Sequence, residues 1–247
     1  VPGRLGVITH RRAKLGENAS VCEDVINVQR RVEEDGESVR VGVSDGATMT
    51  SFARSWAELL THWFANRMFS STAFHDQAAF ARALRLVRIL WSLRVPKNLP
   101  WHSEVKVAEG AGATLLGVEI AYRGSSLTWE ALAVGDTCLL QYDGARITRS
   151  FPVTTSDGFA NTPDLISSAA DSAIPVPTVM RGTLGEDGVL VVATDALAKY
   201  LIEHDGEIDP LELVADARCD ERLDALRMAG TMKNDDVALA LIRPEPS

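Results

Sequence analysis

The chain has 247 residues, 46% hydrophobic and 24% charged, which is enough apolar material for one large core and predicts a single domain over 1–247. Its 25 basic and 34 acidic residues give a net charge of −9 with no basic stripe, and this sets nucleic acid aside as a partner. Three cysteines with no CxxC pair argue against a disulfide framework and structural zinc. No apolar run approaches the about 20 residues of a membrane span and no signal peptide is visible, so no membrane association and a reducing, cytoplasmic setting are expected.

In chain order, residues 1–4 begin without Met and are left out of the fold reading as a trimmed or appended terminus. Residues 5–10 read as a short strand. Residues 24–32 and 38–44 read as two strands joined through Asp35-Gly36, a hairpin signal between apolar runs. The period then changes. Phe52, Trp56, Leu59, Leu60, Trp63 and Phe64 predict a helix over 50–69, and Phe80, Leu84, Val87, Leu90 and Trp91 a second over 75–93. Arg82, Arg85 and Arg88 are expected on its solvated face. Residues 94–110 read as a loop. Strands at 113–122, 127–134, 137–142 and 145–150 read as an antiparallel meander, with Gly135-Asp136 as one tight hairpin turn. A long Pro- and Ser-rich excursion fills 151–188, closed by a strand at 176–181. A buried strand at 189–194 leads into a helix from Asp195 to Glu203. One or two helices follow at 209–229, with Pro210 suited to a helix start, and a last strand runs 236–243. Helices separated from antiparallel strands predict an α+β fold.

Asp24, Asp45, Asp195 and Asp235 each lie at one end of a strand-like apolar run. Asp favours turns and is depleted in strands, so any one of them is adequately explained as a turn residue. Delivered together to one rim, four carboxylates repel unless a cation joins them. An all-oxygen cluster suits Mg²⁺ or Mn²⁺ rather than zinc. The four together point to a hydrolase with a carboxylate-held pair of hard metal ions.

Taken in order, the motifs are Cys22-Glu23-Asp24, Val43-Ser44-Asp45-Gly46, Gly112-Ala113-Thr114, Ala133-Val134-Gly135-Asp136, Ala193-Thr194-Asp195 and Asn234-Asp235-Asp236-Val237. Each alone is weak. Six in this order, with a helix pair between the second and third, resemble the bacterial-type members of the metal-dependent type 2C protein phosphatases over roughly residues 5–243. The resemblance implies a four-layer α-β-β-α sandwich, two antiparallel sheets flanked by helix pairs. It also implies hydrolysis of phosphoserine and phosphothreonine by water activated at two Mn²⁺ or Mg²⁺ ions, with a phosphorylated protein as substrate and a cognate Ser/Thr kinase as partner. By position, Asp45 resembles the carboxylate shared by both ions and Gly46 the residue lending a backbone carbonyl. Asp24, Asp195 and Asp235 resemble further metal ligands, with Asp24 and Asp45 central to catalysis. Glu23 is a candidate for a direct or water-mediated contact, and Asp236 for a supporting role. Some members hold a weaker third metal just before the Gly-x-Thr motif. Glu109 has that position and reads equally well as a solvated loop residue. Asp136 resembles a turn residue, structural rather than catalytic.

Departures from the family pattern matter. Asp45-Gly46-Ala47-Thr48-Met49 lacks the His proposed to protonate the leaving group, and His10 is the speculative substitute. Ala196 replaces a Gly, and Lys199 replaces an acidic residue, which weakens the third-metal case. Position 19 is Ala where a phosphate-binding Arg is often found, leaving Arg11 and Arg12 as candidates. These losses motivate an alternative: a pseudophosphatase that binds a phosphoprotein or kinase without turnover.

Overall fold

The computed structural model describes residues 3–47, 52–96, 109–159, 162–214 and 218–245. Two five-stranded sheets, antiparallel throughout, stack face to face. The first has the order β10-β6-β5-β3-β2, from Thr178–Leu184, Ser126–Val134, Leu115–Arg123, Gly36–Ser44 and Val25–Glu33. The second has the order β1-β12-β11-β7-β8, from Leu5–Arg12, Val237–Pro244, Gly188–Ala193, Cys138–Asp143 and Arg146–Phe151. A two-stranded ladder joins β4 (Gly112–Ala113) to β9 (Ile166–Ser167).

Strand alternation explains the layers. Val39, Val41 and Val43 of β3 meet Ala238, Ala240 and Ile242 of β12 between the sheets. Leu239 and Leu241 of β12 face outward with Val191 of β11, against α3 (Asp195–Glu203), α4 (Pro210–Val214) and α5 (Cys219–Met228). On the other flank, α1 (Ala53–Ala65) and α2 (Gln77–Arg94) cover the first sheet through Trp56, Leu60, Phe64, Phe80 and Trp91. Strands buried on both faces become near-continuous apolar runs, as β11 and β12 are. The result is the expected α-β-β-α order, with three helices on the second flank among the described residues.

Helix α1 sits close to its sheet because Gly42 and Gly117 are opposite each other in register. A Cβ on Gly117 would lie 2.2 Å from the Phe64 ring, and one on Gly42 3.0 Å from Thr61 Cα. The glycine pair is a notch into which the helix settles.

Three expectations are corrected. The strands from 113 to 150 are not one meander: β5–β6 and β7–β8 are hairpins in different sheets, because the free edge of β6 is taken by β10. Gly135-Asp136 is therefore a crossing between sheets, made possible by Gly135 at φ 97°. Arg88 is not on a solvated face; it is buried and donates to the carbonyls of Ser167, Ser172 and Ala173, tying the excursion to α2. The predicted start of the first helix at Thr50, and most of the 94–110 loop, lie outside the described residues.

Arg40 interrupts the apolar run of β3 for a reason the fold supplies. Buried between the Phe64 and Phe74 rings, it donates to Glu119 at 2.7 and 3.1 Å and to the Phe69 carbonyl at 2.6 Å. Arg67 reaches the other Glu119 oxygen at 3.0 Å. Removing Arg40 leaves the buried Glu119 Oε2 without its guanidinium, with Arg67 still on the other oxygen. Arg40→Met should destabilise the fold by about 3–5 kcal/mol, read as a lower urea midpoint.

Candidate metal centre

All the motif aspartates emerge at the same end of the sandwich. Asp24 precedes β2 and Asp45 follows β3, adjacent to the Val25–Ser44 pair of the ladder. Asp195 follows β11 by one residue, and Asp235 precedes β12 by one. Two threonines lock the strand ends together. The Asp45 N–H donates to Thr114 Oγ1 at 2.9 Å, and the Thr114 N–H returns to the Asp45 carbonyl at 2.9 Å. Thr194 bonds Ala238 in both directions, N–H to carbonyl at 3.1 Å and N–H to Oγ1 at 2.9 Å.

The carboxylates perturb one another. Asp24 is 1% exposed, and its Oδ2 has no hydrogen-bond partner. Burial, then the neighbouring Asp45 charge, hold it well above the ordinary carboxylate range, opposed by the Thr194 hydroxyl. Asp45 is raised to about 7 by burial, then by Asp195, with Asp235 and Asp136 adding. Asp136 is raised to about 6 by burial and Asp195, and its Oδ1 is also buried without a partner. Asp136 is thus a member of the cluster that a turn reading misses. Its signal was the crossing itself, which puts position 136 on the rim beside the start of β7.

One cation already stands in the cluster. Lys233 Nζ lies 2.7 Å from Asp235 Oδ2 and 3.1 Å from Asp195 Oδ2. Burial alone would lower this ammonium, but the hydrogen bonds to Asp235 and Asp195 outweigh it and raise it above its ordinary value. Among the described residues no three His, Cys, Asp or Glu side chains close into a ready cage. The donor set still fits a hard divalent cation: all oxygen, strongly negative, with two buried carboxylate oxygens unpartnered.

Around the cluster, Gly46 is tightly enclosed; a Cβ would lie 3.0 Å from the Glu23 carbonyl oxygen and 3.1 Å from the Ala53 carbonyl carbon. Asp236 accepts from the Lys14 N–H at 2.9 Å and the Glu23 N–H at 2.7 Å. Asn234 accepts from the Leu15 N–H at 2.7 Å. The buried Arg227 of α5, absent from the sequence reading, grips the Asp235 carbonyl at 2.6 Å and the Ala13 carbonyl at 2.9 Å. Glu109 is exposed, at the head of the segment entering β4. Thr48 and Met49 lie outside the described residues.

The two arginine candidates separate. Arg12 turns to α5, donating to Asp224 at 2.5 and 3.3 Å and to Asp220 at 3.1 Å. Arg11 is exposed and close enough to act on Cys22 electrostatically. His10 also faces α5, with Nε2 2.8 Å from Asp220 Oδ1. Burial pushes the Cys22 and Cys138 thiols up to about 12, which rules out either as a thiolate nucleophile near neutral pH.

Fold and rim define an α-β-β-α sandwich with a cluster of carboxylates at one end. The chain belongs to the protein phosphatase 2C family, whose sequence profile matches residues 14–230. Solved structures agree on the fold. The serine/threonine phosphatase of S. agalactiae is 14% identical, with a TM-score of 0.62, over 98% of this chain and 100% of that one. The Mycobacterium tuberculosis phosphatase PstP/Ppp is 14% identical, with a TM-score of 0.61, over 97% and 98%. A PstP catalytic domain in complex with 2 manganese ions is 15% identical, with a TM-score of 0.58, over 98% and 99%. No curated protein sequence matches significantly. Among the described residues no helix is long and apolar enough to cross a membrane.

A carboxyl raised on folding binds its proton more tightly in the folded state. Its contribution is full at low pH and is lost as pH climbs from about 4, the unfolded value, through the folded value of about 7. In metal-free protein, Asp45→Asn should therefore raise Tm at pH 8, with the gap closing towards pH 4. Mn²⁺ should raise Tm in the parent protein and not in the variant.

Proposed function

We propose that the chain is a Mn²⁺- or Mg²⁺-dependent serine/threonine protein phosphatase, with two ions held by Asp24, Asp45, Gly46, Asp195 and Asp235. The observation that carries this is the buried, unpartnered oxygen of Asp24 facing a rim of like charges, an arrangement that is costly without a cation. Bound there, a divalent ion makes water a competent nucleophile near neutral pH and neutralises phosphoryl charge.

The protein's own groups do the positioning. Asp24, Asp195 and Asp235 all act electrostatically on Asp45, which supports its reading as the shared carboxylate. Gly46 lets the backbone approach, and Asp236 fixes the backbone of Glu23 beside it. Glu23 and the exposed Glu109 remain candidates for water-mediated and weaker third-ion contacts. Arg11, exposed at the rim end of β1, is the better candidate for the substrate phosphate, because Arg12 is engaged by α5. Buried free cysteines suit a reducing compartment, and the phosphoprotein substrate implies an opposing kinase.

Lys233 favours a second reading, a pseudophosphatase in which the ammonium replaces the metal and the fold serves only to bind a phosphoprotein or kinase. Hydrolysis of p-nitrophenyl phosphate separates the two. Turnover that requires Mn²⁺ and disappears in Asp45→Asn is the expected result; no turnover with phosphopeptide binding retained would favour the second. If Arg11 holds phosphate mainly as uniform binding, Arg11→Ala should raise KM about tenfold with a smaller change in kcat. Arg12→Ala should act on stability instead.

A further inference from the structure

Lys233 is not absorbed by the reading above, and its geometry is specific. Its side chain is 59% exposed, yet the ammonium bridges two carboxylates delivered from different elements, Asp195 of α3 and Asp235 of the segment entering β12. We propose that Lys233 is a built-in competitor for the divalent ion: its ammonium occupies the position between Asp195 and Asp235 and has to swing out before an ion can bind there.

Charge and chain geometry both support exchange. The cluster needs positive charge, and the ammonium supplies one unit at hydrogen-bond distance. A divalent ion supplies two, so at equal distance its attraction is twice as large, set against the reluctance of small ions to shed water. Lysine is a flexible stem ending in a compact charge, and here most of it is already in solvent, so leaving requires no backbone change. Asp235 itself is held independently, its carbonyl by Arg227 and its Oδ1 by the Asp236 N–H, so the carboxylate stays in place when the lysine departs. Asp136 and Asp45, which also act on this corner, carry no cation of their own among the described ion pairs. The metal-free protein is thereby kept from bare carboxylate repulsion, and the ion concentration needed to fill the site is raised.

This inference rests on the metal site proposed above, and the test separates the two. Mn²⁺ binding to the full chain is measured by titration calorimetry and by the EPR signal of free Mn²⁺, alongside metal-free Tm. Lys233→Met should bind Mn²⁺ about tenfold more tightly and melt lower without metal. Lys233→Arg, which keeps the charge, should restore the metal-free Tm and bind Mn²⁺ no more tightly than the parent. Equal or weaker Mn²⁺ binding by Lys233→Met overturns the competition and leaves the metal site standing. Mn²⁺ binding by neither protein overturns both.

Discussion

Repulsion among carboxylates at one end of the sandwich is the constraint on which the rest of this structure turns. Asp24, Asp45, Asp136, Asp195 and Asp235 come from both sheets, and no strand pairing by itself makes their approach favourable. Something must hold them at close range without letting the ends splay. Paired threonines bridge the strand ends, the side chains of Asp236 and Asn234 hold the preceding loop, and Arg227 pins the last turn from behind. These are neutral or charge-assisted bonds to backbone groups. They fix position while leaving the carboxylate oxygens facing the rim.

Rigidity further back serves the same end. The notch formed by Gly42 and Gly117 brings α1 onto β3, and β3 carries Asp45. Arg40 and Glu119 clamp the same two strands on the helix-facing side, joined to the turn after α1 through the carbonyls of Phe64 and Phe69. A shift of α1 would pass along β3 to Asp45. The far flank behaves alike: Thr194 joins the end of β11 to β12, and the next residue is Asp195.

Much of this was legible in the sequence because the fold is written in periodicities. Helix spacing placed α1 and α2, and doubly apolar runs placed β11 and β12. Aspartates at strand ends marked the rim before any geometry was known. What failed shares one cause, that local signals do not say which distant segment will pack against a given residue. Gly135-Asp136 has the chemistry of a hairpin and serves as a crossing, since β10 returns from far along the chain to take the edge of β6. Asp136 was undervalued for that reason. Arg88 reads as a surface residue until the excursion folds back and offers it three carbonyls. Arg12 could not be told from Arg11 without knowing that α5 lies under one face of β1. Lys233 gave no signal because its partners are defined by the meeting of α3 and β12.

The position of β12 sets an order of events. It lies between β1 and β11, pairing with both, so the second sheet stays split until residues 237–244 arrive. Asp235 and the side chains that hold the 13–24 loop reach the rim with the same stretch of chain. Contacts this distant in sequence form late, after the hairpins β2–β3 and β5–β6. During synthesis, then, a chain halted anywhere before β12 carries its acidic rim incompletely assembled. The rim therefore closes in a single step, when β12 takes its place between β1 and β11.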